Sequence, residues 1–164
     1  MTPQLDIGDR VRLLFDYDPQ TGIFTRRVTR GNMRRGSEAG HLRSDGYVIV
    51  AVDRKYILGH HLAVLYMTGE FPTSQWDHKD RNRSNNAWDN LRPASPLLNS
   101  ANRGVRGDSR CGIKGIRQKG RKWRASISVD GRRASLGYFS SPEEASNAYA
   151  LAARERFGEF ARAS

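Results

Sequence analysis

The sequence predicts an α+β protein built from two small units, and three observations point there. Residues 123–129 alternate strictly, with Trp123, Ala125, Ile127 and Val129 on one side and Arg124, Ser126 and Ser128 on the other. That is the pattern of a half-buried strand. Ser141-Pro142-Glu143-Glu144 then carries a helix start: Ser141 as N-cap, Pro142 at the first position and Glu144 closing a capping box. Charge also changes along the chain. Residues 1–99 hold 14 basic and 11 acidic side chains, net +3, whereas residues 100–164 hold 14 and 6, net +8. The change falls at the small, polar stretch Ser100–Ser109, which reads as a linker between a first unit (1–99, core about 46–103) and a second (110–164).

In chain order, Asp18-Pro19-Gln20-Thr21 is a turn signal that feeds a short strand at Gly22–Thr25. Tyr47–Val52 is a β-rich run bounded by Asp45-Gly46 and by Asp53-Arg54-Lys55, and Tyr56–Leu58 pairs back as a hairpin. His60–Gly69 is a short helix stopped by glycine. Ser95 and Pro96 mark the start of another helix. In the second unit, Ile113–Lys119 and Arg132–Phe139 flank the alternating strand, the latter across a two-residue Asp130-Gly131 turn. The last helix presents Ala145, Ala148, Tyr149 and Ala152 for packing, and Gly158 ends it. The result is a three-stranded antiparallel sheet packed on one α-helix.

Bulk properties narrow the partners. The chain has 164 residues, 28 Lys+Arg against 17 Asp+Glu, and a net charge of +11. A pI near 10.5 favours a polyanion, with nucleic acid the commonest such partner. An anionic membrane is the rival, but no long basic amphipathic helix is visible. The longest apolar runs, Tyr47–Val52 and Leu62–Met67, are too short to span a bilayer. The N-terminus lacks a signal-peptide pattern, and the single Cys111 excludes an internal disulfide and a multi-cysteine zinc site. The expectation is a cytoplasmic protein without structural zinc.

The segment Trp76–Arg92, WDHKDRNRSNNAWDNLR, is the most informative polar stretch. Asp77 offers a carboxylate suited to magnesium or manganese. His78 beside it is a candidate base with a pKa naturally near neutral. Asn90 can orient groups across the loop. Asn99, on the next helix, is a candidate second metal ligand, with Asn102 as its alternative. Each also has an ordinary reading: Asp-His dipeptides are mostly surface, and Asn85, Asn86 and Asn90 can be turn formers. His60 can be a structural histidine, and His41 has no identifiable role.

The set resembles the HNH endonucleases of the ββα-metal (His-Me finger) fold, and within them the phage and intron-borne homing or nicking enzymes. His60 matches the first histidine of the family's helix, with His61 in place of the usual Arg. Asp77 and Asn99 match the metal ligands, His78 the general base and Asn90 the structural asparagine. FDYDPQTGIFTRR and the Gly46-Tyr47 strand match the leader of such phage proteins. The resemblance implies a divalent cation, Mg2+ or Mn2+, and phosphodiester hydrolysis. Gly112–Arg162 separately resembles the APETALA2/ethylene-response-factor DNA-binding domain, on its Trp-x-Ala-x-Ile strand, Leu-Gly-Tyr-Phe strand end, Glu-Glu-Ala helix start and Gly-Glu-Phe-Ala tail. Ala150 stands where that family usually has Asp. The resemblance implies a sheet laid in the major groove of double-stranded DNA, with Arg117, Lys119, Arg121, Lys122, Arg124, Arg132 and Arg133 as DNA-binding candidates. The expected function is a site-directed, monomeric nicking or homing endonuclease in a bacterial or phage-infected cell. The rival is a non-catalytic DNA-binding regulator with a vestigial nuclease fold.

Overall fold

The computed structural model of the chain describes residues 6–102, 104–105, 111–129 and 131–161, apart from the side chain of Ser100. Two compact units divide it, Met1–Pro93 and Ala94–Ser164. Residues 103 and 106–109 of the expected linker, Arg110, and Asp130 of the expected turn lie outside the described residues.

The first unit opens with a helix that the sequence reading did not anticipate, α1 (Ile7–Leu14). Asp6 caps it by accepting a hydrogen bond from the Gly8 N–H, and Val11 and Leu14 turn inward. Strands β1 (Phe15–Tyr17), β2 (Phe24–Arg26) and β3 (Glu38–Ala39) form an antiparallel sheet in that order. A second sheet joins β4 (His41–Leu42), β5 (Val48–Val52) and β6 (Lys55–Leu58), also antiparallel. The β5–β6 turn places Asp53 and Arg54 at φ 44° and 69°, the left-handed pair of a type I′ hairpin. Arg10 and Arg30 both ion-pair with Asp53 there and hold its carboxylate well below the usual range.

Helix α2 (Gly59–Thr68) follows directly and ends where Gly69 adopts φ 83°, a left-handed cap that glycine accepts without strain. It buries Leu62, Ala63 and Leu65 against Val11, Phe15, Tyr17, Phe24 and Val50. Strands β7 (Gln75–His78) and β8 (Leu91–Ala94) then make a two-stranded ribbon around the polar loop. Trp76 and Trp88 stack at 5.7 Å across its base.

In the second unit, α3 (Pro96–Asn102) starts with the Leu98 N–H donating to the Ser95 hydroxyl. Strands β9 (Ile116–Lys119), β10 (Lys122–Val129) and β11 (Arg132–Phe139) form an antiparallel sheet with β10 in the centre. Helix α4 (Pro142–Phe157) is capped by Ser141, whose hydroxyl accepts from the Glu144 N–H. The Glu144 carboxylate closes the box on the N–H of Ser140 rather than on that of the cap residue. Ala145, Tyr149, Ala153 and Phe157 are the buried stripe. The inward face is thus an i, i+4 ladder, and the expected Ala148 and Ala152 sit half-buried at its edge. The ladder covers Ala125, Ile127 and Ile116 of the sheet. Trp123 packs partly buried on the same cluster, as its parity requires.

Candidate active site

The polar loop has no regular secondary structure for most of its length, so its backbone needs side-chain partners. The asparagines and Asp80 supply them. The Asp80 N–H donates to Asn90 Oδ1 at 3.0 Å, and Asn90 Nδ2 donates back to Asp80 Oδ1 at 2.9 Å. Asn90 Nδ2 also reaches the Asn85 carbonyl at 2.8 Å, and the Lys79 N–H donates to the Asn90 carbonyl. Asn90 therefore ties the end of β7 to the start of β8. Asp80 accepts further bonds from Asn85 Nδ2 and the Asn82 N–H. Burial pushes its pKa up, but the bonds from Asn85, Asn90 and Asn82 outweigh that and lower it. Asp80, which carried no assigned role in the sequence reading, is the hub of the loop.

His78 ends β7 and is 3% exposed. Its Nε2 lies 3.2 Å from Asn86 Oδ1. The His60 ring, 4% exposed on α2, stands edge-on to it with centroids 5.0 Å apart. Tyr47 completes the aromatic cluster, at 5.4 Å from His60 and 6.1 Å from His78, and the Arg83 guanidinium covers the Tyr47 ring at 4.9 Å. Asp77 accepts from Arg92 at 3.3 Å, with side chains only 12% and 9% exposed. The structure thus gathers Asp77, His78, His60 and Asn90 within the first unit, whereas Asn99 and Asn102 belong to α3 of the second.

Burial lowers the pKa of all three clustered histidines. His60 falls to about 3, chiefly by burial and then by His61 and His78. His61 falls by burial alone. His78 also falls by burial, partly offset by the Asn86 bond and by Asp77 and Asp80. All three are neutral near pH 7. An unfolded histidine protonates near 6.5, so below that pH the unfolded chain binds more protons and stability falls as the pH drops; above it the contribution is complete. Urea midpoints are expected to decline from pH 7 to pH 4.5, with His60 alone contributing a slope of up to about 1.4 kcal/mol per pH unit. His60→Leu should flatten that slope, and an unchanged slope would contradict a buried neutral His60.

The loop is also clamped from the N-terminal side. Gly22 adopts φ 75°, and a Cβ there would stand 2.2 Å from the Asn86 carbonyl carbon and 2.3 Å from the Ala87 nitrogen. No side-chain rotation relieves a clash with backbone. Gly22→Ala should therefore destabilise the unit by about 2 kcal/mol or more, read as a lower urea midpoint at unchanged m-value. A midpoint equal to wild type would refute this close approach.

On the second unit's sheet, Arg124 pairs across to Arg117 on β9 and to Tyr138 on β11, and Lys122 pairs to Lys119. These side chains share the face opposite α4. Arg133, opposite Ser128, joins them. Arg132 lies opposite Val129, so its parity puts it on the other side, and Arg121 sits in the β9–β10 turn. Tyr138, half exposed, is an aromatic member of the basic face that the sequence reading did not single out.

Among the described residues no three His, Cys, Asp or Glu side chains come together as a metal cage. No helix among them is long and apolar enough to cross a membrane. Residues 58–101, from the end of β6 to α3, match the sequence profile of a family described as HNH endonuclease. One relative, described as an uncharacterized HNH endonuclease L560 from Acanthamoeba polyphaga mimivirus, is 31% identical over 122 residues. That alignment covers 74% of this chain and 64% of the viral protein's length. No solved structure gives a significant match. The matched stretch contains His60, Asp77, His78, Asn90 and Asn99.

Proposed function

We propose that the chain is a metal-dependent DNA endonuclease that nicks phosphodiester bonds, with the basic sheet of the second unit as its DNA-docking surface. The observation that carries this reading is the pairing at the end of β7: a carboxylate at 77 beside a buried, neutral, oriented imidazole at 78, in the segment of HNH type.

Carboxylate and amide oxygens are hard donors of the kind a divalent cation takes. Asp77 would offer a carboxylate oxygen, and on the resemblance alone Asn99 or Asn102 would add an amide oxygen. Such a small oxygen set suits Mg2+ or Mn2+ and leaves positions for water and phosphate. The chemistry the cation contributes when bound is stabilisation of charge on the phosphate and the leaving oxygen. The chain's own residues do the rest. His78 takes a proton from the attacking water at Nδ1 as the water oxygen bonds to phosphorus. The scissile P–O bond breaks, its electron pair stays on the sugar oxygen, and that oxygen takes a proton from solvent. Arg92 holds Asp77, Asn90 and Asp80 hold the loop, and His60 serves as a neutral packing partner of His78. One such site per chain favours nicking by a monomer.

In the second unit, Arg117, Lys119, Lys122, Arg124 and Arg133 supply phosphate and base contacts from one face. A phage or prophage setting and a homing role rest on the resemblance alone. The rival, a non-catalytic DNA-binding regulator, keeps the sheet and discards the loop. A supercoiled-plasmid assay with Mg2+ or Mn2+, run beside a gel shift, separates the two. Metal-dependent nicking by wild type supports the enzyme. Binding without nicking on DNA carrying a selected site supports the regulator.

A further inference from the structure

Asn86 is 3% exposed and sits at the centre of contacts that no turn-forming role requires. Its Oδ1 meets His78 Nε2 at 3.2 Å, and its Nδ2 points to the Ser84 carbonyl at 3.4 Å. Exchanging the two amide atoms would set oxygen against oxygen at Ser84, so the network fixes the orientation. An amide oxygen only accepts. His78 must then carry its hydrogen on Nε2, and Nδ1 keeps its lone pair. Among the described residues, no hydrogen bond engages that Nδ1.

Asn86 is itself held from three directions. The Tyr17 hydroxyl donates to its backbone carbonyl at 2.7 Å, in a buried bond 69 residues apart in sequence. Gly22 lies against its backbone, as described. Gly59, at the start of α2, lies so close that a Cβ there would stand 2.7 Å from Asn86 Nδ2. Tyr17 and Gly22 both lie in the N-terminal β1–β2 hairpin, outside the segment of HNH type.

We propose that Asn86 is the positioning residue of the site: it fixes His78 in the Nε2–H tautomer with Nδ1 free to accept a proton, and the N-terminal hairpin fixes Asn86 through Tyr17. The tautomer follows from the hydrogen bonds alone; its catalytic meaning rests on the nuclease reading. A neutral imidazole free to choose its tautomer presents the wrong nitrogen for part of the time, and one held in the wrong tautomer loses most of its activity.

The test uses the full chain, 15N-labelled at histidine, at a pH where His78 is neutral. In wild type, Nε2 should give the protonated-type and Nδ1 the unprotonated-type 15N resonance. Asn86→Leu, close in volume but without an acceptor, should mix the two tautomers. Asn86→Asp, which keeps an acceptor oxygen at Nε2 but sets its second oxygen against the Ser84 carbonyl, should recover the wild-type pattern in part, and Tyr17→Phe should loosen it partially. Plasmid nicking should fall severalfold in Asn86→Leu, in step with the wrong-tautomer population, with plasmid affinity unchanged, and should recover part of that loss in Asn86→Asp. An Nδ1–H tautomer in wild type, or an unchanged wild-type pattern in Asn86→Leu, would overturn the proposal. If wild type shows the predicted tautomer yet cuts no DNA with any divalent cation, the nuclease reading fails and the positioning role stands.

Discussion

His78→Ala is expected to lose about 10²- to 10⁴-fold in the rate of plasmid nicking while binding the same DNA with unchanged affinity. The size follows from the proposed role of the side chain as general base. Without a base beside the attacking water, the proton must leave to bulk solvent, and the general-base contribution is lost whole. Binding is unaffected because His78 is buried among Tyr47, His60 and Asn86, and the basic sheet belongs to the other unit. Alanine also leaves a void beside the two rings, so a matched melting curve is needed. His78→Gln, which refills the space and can still meet Asn86 but cannot serve as base near pH 7, should be as slow as alanine. A His78→Gln protein that nicks at the wild-type rate would remove His78 from the chemistry.

Neutralising the basic face is the second large effect. Arg117, Lys119, Lys122, Arg124 and Arg133 share the side of the sheet away from α4. If each neutralises one phosphate, replacing all five with glutamine should reduce the salt dependence of DNA binding by about 4.5 in the slope of log K against log salt. Affinity at low salt should drop by several orders of magnitude. Arg124→Ala alone discriminates further, because Arg124 lies on the central strand between Arg117 and Tyr138. Relaxed preference at one base position, with a loss of roughly 1–3 kcal/mol on the specific site only, marks a base contact. A uniform loss across sequences with a slope lower by about 1 marks a phosphate contact. Arg132 is the control, since its register places it on the other side; its replacement should change neither quantity appreciably. An unchanged slope in the five-fold variant would exclude this face as the docking surface.

Much of this was legible in the sequence, for local reasons. The central strand was readable because one side of it must be apolar and the other need not be. The final helix was readable because capping chemistry is confined to four residues. Helix α2 showed its glycine stop. What escaped notice depended on distant partners or on register. Helix α1 carries a plain Asp6 cap, yet its short, charged span shows its purpose only once Val11 and Leu14 are seen against α2. Arg132 looks equivalent to Arg133 until the pairing with Val129 and Ser128 separates them. Asn86 is the clearest case: one of several asparagines in the string, it is singled out by Tyr17 and Gly22, both more than 60 positions away. Asp80 was hidden similarly, because a hub is defined by the bonds that converge on it.

The most direct measurement is the cation dependence of strand cleavage in three full-length proteins: wild type, Asp77→Ala and Asn99→Ala. Supercoiled plasmid is incubated with Mn2+ or Mg2+ across a concentration series, with chelator as the zero point. Wild type should convert plasmid to the nicked circle only when the cation is present. Asp77→Ala should be inactive at every concentration, and Asn99→Ala should need far more cation to reach a lower rate. Cleavage by Asp77→Ala at the wild-type rate, or by wild type in excess chelator, would contradict the account.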